Sequence, residues 1–293
     1  MNQPGPVDPV IPADRLDDAL RNYAASELRR AIACLAWRGP RLHEGVHQAR
    51  KSLRRTRSVL ALGSPALGPG AALIDRECRS MNRRLSTLRD AQALVTTLDH
   101  LIGREETAES LLVLRRVRRI AARARAECAR LALAGAPDLA GARALLAALL
   151  GALLSLPWQT LTDASVRQAL QDSVVRAEEA GQRARTSSRA PDWHRWRRRA
   201  RRVSQQYRAL GDFVEHSGVK KHSKVLAVLL GEAQDYALLR EYSRRGSMFA
   251  ETDRKVLRAL GASGMQHLRE RIATSAGAAK SAVDEPGAES TPN

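Results

Sequence analysis

The sequence predicts an all-α protein of two tandem bundles of about four helices each, related by an internal repeat. Three observations carry this. Apolar residues recur at three- and four-residue spacing over long stretches. Strand signals are almost absent, with no sustained alternation of β-branched residues and no Asn-Gly or Asp-Gly dipeptide. One set of motifs also occurs twice in the same order, 145 to 147 residues apart.

The helices follow from apolar periodicity and its breakers. Leu16, Leu20, Tyr23, Leu28 and Ile32 mark a first helix, stopped near Arg38-Gly39-Pro40. A second runs over about 42–62 and ends at Gly63-Ser64-Pro65; a third covers 71–102 and a fourth 105–133. Beyond Gly135-Ala136-Pro137, a short apolar helix covers 139–156. A longer one follows to about 185, with Asp163 as its N-cap. Asp192 caps a basic helix over 193–214; two more cover 220–242 and 252–273. The predicted organisation is a polar tail at 1–13, a first repeat at 14–135, a second repeat at 136–275 with the short linking helix, and a polar tail at 276–293. Both tails are expected to be disordered.

The 293 residues carry 49 Lys+Arg against 31 Asp+Glu, a net charge of +18, and only six of the bases are Lys. A surplus this large points to a polyanionic partner: nucleic acid, an anionic membrane surface or a phosphate polymer. The start of the chain has no secretory-signal pattern. The most apolar run, Ala144 to Leu156, is too short to span a bilayer, so no membrane insertion is expected. Cys34, Cys78 and Cys128 are widely spaced and suggest neither a disulfide framework nor a metal site. The expected setting is cytoplasmic, with free thiols, no metal and no cofactor.

The repeat locates the charge. His47-Gln48-Ala49-Arg50-Lys51-Ser52-Leu53-Arg54-Arg55 and His194-Arg195-Trp196-Arg197-Arg198-Arg199-Ala200-Arg201-Arg202 share the pattern His-x-x-basic-basic-x-x-Arg-Arg at an offset of 147. Leu85-Ser86-Thr87-Leu88-Arg89-Asp90 matches Leu230-Gly231-Glu232-Ala233-Gln234-Asp235 at 145, and Arg76 and Arg79 fall opposite Lys221 and Lys224. At about 100° per residue, His47, Arg50, Lys51 and Arg54 share one helix face, with Arg57 at its edge. His194, Arg197, Arg198 and Arg201 form the twin, with Arg202 at its margin. Arg76, Arg79 and Arg83 form a third stripe, and Lys221 and Lys224 a fourth. Asp90 and Asp235 follow about four turns later on the same faces. They fit either partners that orient the bases or structural ion pairs and caps. Clustered like charges need a counter-charge, and arginine's planar fork suits phosphate oxygens. The run Arg115, Arg116, Arg118, Arg119, Arg123 and Arg125 has no counterpart and reads as solvated surface.

These motifs resemble the CHAD (conserved histidine α-helical domain) family over about residues 14–274. Val46-His47-Gln48-Ala49-Arg50-Lys51-Ser52-Leu53-Arg54-Arg55-Thr56-Arg57 is similar to its first signature. The second copy departs from it, because Ser204 and Gln205 stand where the family has a basic residue followed by Tyr. The resemblance implies two four-helix bundles related by pseudo-twofold symmetry around a basic groove or pore that binds inorganic polyphosphate, with polyphosphate granules as a candidate location. It assigns binding to His47, Arg50, Lys51, Arg54, Arg57, Arg76, Arg79, His194, Arg197, Arg198, Arg201, Arg202, Lys221 and Lys224; Arg83 extends the third stripe. The Glu-x-Glu-x-Lys pattern of a triphosphate tunnel enzyme domain is absent, so a stand-alone member is expected.

Three functions stand in order: a polyphosphate-binding module, a nucleic-acid binder with Trp193 and Trp196 as stacking surfaces, and a phosphate-polymer hydrolase using His47 or His194. No Walker-A loop or Arg-His-Gly phosphatase triplet is present, so no catalytic residue is assigned and a non-enzyme is expected. The oligomeric state stays open.

Overall fold

A computed structural model describes residues 15–284, except 106, 135–138, 188 and 215–217, with no account of the side chains at 218, 219, 273 and 275–284. Ten α-helices and three short 3₁₀ turns make up the described residues, with no strand among them. The helices are α1 (Leu16–Leu35), α2 (Leu42–Gly63), α3 (Gly68–Arg84), α4 (Ser86–Ile102) and α5 (Ala108–Ala134). Then come α6 (Ala140–Leu154), α7 (Asp163–Thr186), α8 (Ala190–Leu210), α9 (Gly218–Tyr242) and α10 (Glu251–Asp284). The all-α prediction holds. The tail expected at 1–13 lies outside the described residues, and α10 runs on past residue 275.

Several helix limits differ from the sequence prediction, and three of the differences have a local cause. The helix expected over 71–102 is two helices meeting at Leu85, whose N–H bonds back to the Met81 carbonyl at 3.1 Å. There the Ser86 hydroxyl donates to the Arg83 carbonyl at 2.6 Å, a side-chain bond that competes with the helical ladder. The cap of α7 is Thr162 rather than Asp163. The Thr162 hydroxyl accepts from the Ser165 N–H at 3.2 Å, and Ser165 returns the bond, a capping box. Helix α8 starts at Ala190 rather than Trp193, with Pro191 in its first turn; Asp192 accepts a bond from the Ser187 hydroxyl instead of capping.

Helix neighbours recur between the two halves of the chain. Helix α1 packs on α2 and α7 on α8; α4 packs on α5 and α9 on α10. Across the halves, α1 touches α8 and α2 touches α7, while α2 crosses α8 and α4 crosses α9. The largest core joins Leu20, Leu28, Leu35, Leu53, Leu62 and Ile74 to Leu146, Leu153, Val166, Leu170, Val203 and Tyr207. It therefore draws on both sides of residue 135. A second core joins α4 and α5 to α9 and α10 through Leu98, Leu114, Leu239 and Leu257. A third joins α7, α8, α9 and α10 through Ala184, Trp196, Leu230 and Leu268. Each buried leucine contributes about 1.5–3 kcal/mol relative to exposure.

The third core orients α8. Trp196 packs against Gly181 of α7, where a β-carbon would stand 2.9 Å from the indole ring. With Trp196, Ala200, Val203 and Tyr207 turned inward, the other face of α8 carries the arginines. Helix α2 is central, buried by α1, α3, α4, α7 and α8 on most of its sides. No helix among the described residues is long and apolar enough to cross a membrane.

The isolated arginine run does more than meet solvent. Arg116 on α5 forms a two-pronged ion pair with Asp253 of α10, which is 1% exposed. Arg118 grips Asp99 of α4 at 2.8 and 3.3 Å, and Arg125 donates to Gln92 at 2.9 Å. These arginines tie the third and fourth predicted helices together and reach the last one.

Candidate functional site: an arginine-lined cleft between α2, α3 and α8

Where α2 crosses α8, the two basic motifs face a shared cleft of about 400 Å³. Its lining is Arg54, Arg57 and Ser58 from α2, Arg79 from α3, and Arg195, Arg198, Arg199, Arg201, Arg202 and Gln205 from α8. Eight of these ten residues are arginine, and no carboxylate or histidine lines the cleft.

Behind the lining, the arginines crowd one another. Arg54 is held well below the usual arginine range, first by burial and then by Arg201, Arg50, Arg89 and Arg197. Burial and repulsion from Arg197, Arg89, Arg50 and Arg198 push Arg201 down to about 9. Burial and Arg89 push Arg50 down to about 10, with Asp90 opposing. Arg197 and Arg202 shift the same way, burial being the first cause for each. Guanidinium groups stay charged at neutral pH, and Asp90, Asp235 and Asp75 relieve the repulsion only in part, at Arg50, Arg197 and Arg202 respectively. The Nε atoms of Arg50 and Arg54 are buried and have no acceptor among the described residues. Unmet donors and positive charge gathered in one place suit the chemistry of an anion.

The predicted residues divide into groups. Arg54, Arg57, Arg79, Arg198, Arg201 and Arg202 line the cleft. Arg57 also holds Asp75 at 2.8 and 3.1 Å. Arg50 and Arg197 stand in the electrostatic cluster behind it, Arg50 donating to the Asn82 carbonyl. Lys51 is held below the usual lysine range by burial, with Arg55, Arg208, Arg30 and Arg54 adding to the shift. His47 is exposed on α2; its pKa is lowered by the surrounding protein, opposed by Glu44, with Arg54, Lys51 and Arg89 lowering it further. His194 is exposed, its Nδ1 3.0 Å from the Gln234 side-chain oxygen. Arg76, Arg83, Lys221 and Lys224 are exposed and do not line the cleft, and Arg76 leans toward Glu77 at 3.7 Å.

The two aspartates have distinct partners. Asp90 accepts a bond from Arg89 at 2.8 Å. Asp235 is held above the usual carboxylate range by burial, against the pull of Arg197 and Arg89. It lies at a second, smaller pocket with Thr97, His100, Leu101, Arg104, Glu232 and Tyr236.

Arg89, Arg195, Arg199, Ser58 and Gln205 were not selected from the sequence as site residues. Arg89 bears on His47, Arg50, Arg54, Arg197 and Arg201 together. Its signal was its place beside Asp90 in the second repeated motif.

A family model described as the CHAD domain matches residues 15–244. The chain belongs to the CHAD domain family. Among solved structures, this CHAD domain is similar to PptA from Streptomyces chartreusis, with a TM-score of 0.62 and 17% identity, over 88% of this chain and 98% of that one. It is also similar to the crystal structure of the CHAD domain from the plant Ricinus communis, with a TM-score of 0.53 and 20% identity, over 88% and 87% of the two chains. At these identities the likeness shows the shared all-α fold. No curated protein sequence matches the chain.

Proposed function

We propose that this CHAD domain binds inorganic polyphosphate in the cleft between α2, α3 and α8. The observation that carries the reading is the lining: eight arginines with no acidic residue among them, beside the Arg50 and Arg54 Nε groups that lack acceptors among the described residues. Phosphate oxygens accept paired bonds from guanidinium forks, and a chain of them would neutralise several arginines at once. Association would release counterions and fall steeply with salt, by analogy with nucleic acids.

The lining favours a polyanion without bases. A non-specific nucleic-acid groove stacks bases on aromatic rings, and no aromatic residue lines the cleft. Trp196 is buried in the third core, and Trp193 packs 5.6 Å from it with Arg269 over its ring. The proposed role is capture rather than chemistry. The Ser58 hydroxyl in the cleft donates to Gln205, and neither a carboxylate nor a histidine lines the cleft beside it as a base. The same proposal places the protein in the cytoplasm, where polyphosphate granules would hold its ligand.

Competition tests the reading. Long-chain polyphosphate is expected to displace bound single-stranded DNA at equal phosphate concentration, while DNA fails to displace polyphosphate. The reverse order would assign the cleft to nucleic acid. Phosphate release from the polymer, with or without Mg²⁺, would overturn the non-catalytic role.

A further inference from the structure

The two halves put opposite charges at one corresponding place. Helix α1 packs on α2 as α7 packs on α8. Buried Ala24, Leu28 and Ala31 of α1 recur 149 residues later as buried Ser173, Ala177 and Ala180 of α7. At that offset Glu27 corresponds to Arg176, and at the 147 offset of the basic motifs Arg55 corresponds to Arg202.

The consequences for these two arginines are opposite. Arg55 donates to Glu27 at 2.7 Å, both side chains being 8% exposed, and it does not line the cleft. Arg202 lines the cleft and makes no ion pair among the described residues. Asp75, the one acid acting on it, is gripped by Arg57, while Arg57, Arg199 and Arg176 all repel it. A carboxylate thus fills the anion position of the first half, and in the second half that position is cationic and open.

Resting on the proposed function, we infer that the two halves are unequal anion sites: Arg202 in the second half holds the phosphate polymer, and Glu27 closes the first-half counterpart by taking Arg55. Glu27 acts as a built-in anion, so the polymer runs along the α8 side of the cleft rather than symmetrically across both motifs.

The test places an acid on α7 where α1 has one. Arg176 is exposed, pairs with Asp172 at 3.2 Å and lies outside the cleft lining. Arg176→Glu is expected to capture Arg202 and weaken binding of long-chain inorganic polyphosphate at least fivefold. Arg167→Glu makes the same charge change on the exposed opposite face of α7 and is expected to stay within twofold of wild type. Removing the internal pair with Glu27→Leu and Arg55→Met together is also expected to leave affinity within twofold, while Arg202→Met weakens it at least tenfold. Equal effects of Arg176→Glu and Arg167→Glu, or a loss in the folded double variant matching that of Arg202→Met, would overturn the inequality alone. Wild-type protein that does not hold the polymer would overturn the proposed function and this inference with it.

Discussion

The Ser58 hydroxyl donates a hydrogen bond to the Gln205 side-chain oxygen at 2.9 Å, joining α2 to α8 inside the cleft. The two positions are 147 residues apart, the separation of His47 and His194. Gln206 adds a bond to the Ser58 carbonyl at 3.3 Å. Gln205 is one of the two positions where the second motif departs from its family pattern. In this chain the departure supplies a neutral tie between two basic helices.

Ser58→Ala removes that donor and leaves Gln205 with an unmet acceptor. Stability is expected to fall by roughly 1 kcal/mol, read as a lower urea midpoint with an unchanged slope.

Arg201 is a half-buried cation pressed by Arg197, Arg89 and Arg50. Arg201→Met is expected to stabilise the free protein by on the order of 1 kcal/mol, because a repelled, half-buried charge is replaced by an apolar chain of similar length. It is expected to weaken polyphosphate binding at the same time. Thermal unfolding with and without polymer checks both: the melting point rises without ligand, and the ligand-induced shift shrinks.

His43, His47 and His222 all have lowered pKa values, desolvation by the surrounding protein being the first cause for each. Near the ordinary histidine pKa the unfolded chain binds more of these protons than the folded one. Folded stability is therefore expected to fall as pH drops from about 8 to 6. A phosphate polymer extending from the cleft toward His47 would reverse the sign there by favouring its charged form. Polymer affinity is expected to rise over the same interval, and less so in His47→Gln. Urea unfolding and binding titrations at the two ends of the interval check the two trends.

Asp253 is buried beneath Arg116 at the α5–α10 contact. Arg116→Met is expected to lower stability, read as a lower urea midpoint, by leaving that carboxylate without its partner. Polyphosphate affinity is expected to stay unchanged, because this pair lies outside the cleft. A denaturation curve and a binding titration on the same variant separate the two roles.

Much of the site could be read from one helix at a time. The histidine-led stripes single out Arg54, Arg198, Arg201 and Arg202, which line one cleft in the structure. Arg195 and Arg199 escaped because they flank the stripe on α8, and it is the crossing of α2 over α8 that turns both into the cleft. Crossing geometry depends on side-chain interlock such as Trp196 against Gly181, which periodicity does not encode. The same limit applies to Arg76 and Arg83 of the third stripe and to Lys221 and Lys224 of the fourth, which are exposed away from the lining. The break at Leu85 was hidden because apolar spacing continues across it, while Ser86 alters the local hydrogen bonding. Glu27 opposite Arg55 is a contact between helices, and neither residue alone signals it.

The most direct measurement of the central claim is the affinity for long-chain polyphosphate across a salt series, for wild type and for a variant carrying Arg54→Gln, Arg198→Gln, Arg201→Gln and Arg202→Gln. Wild type is expected to show a steep linear fall of log affinity with log salt, and the variant at least a hundredfold loss with a slope shallower by about 3. A folded variant that binds with wild-type affinity and slope would contradict the account.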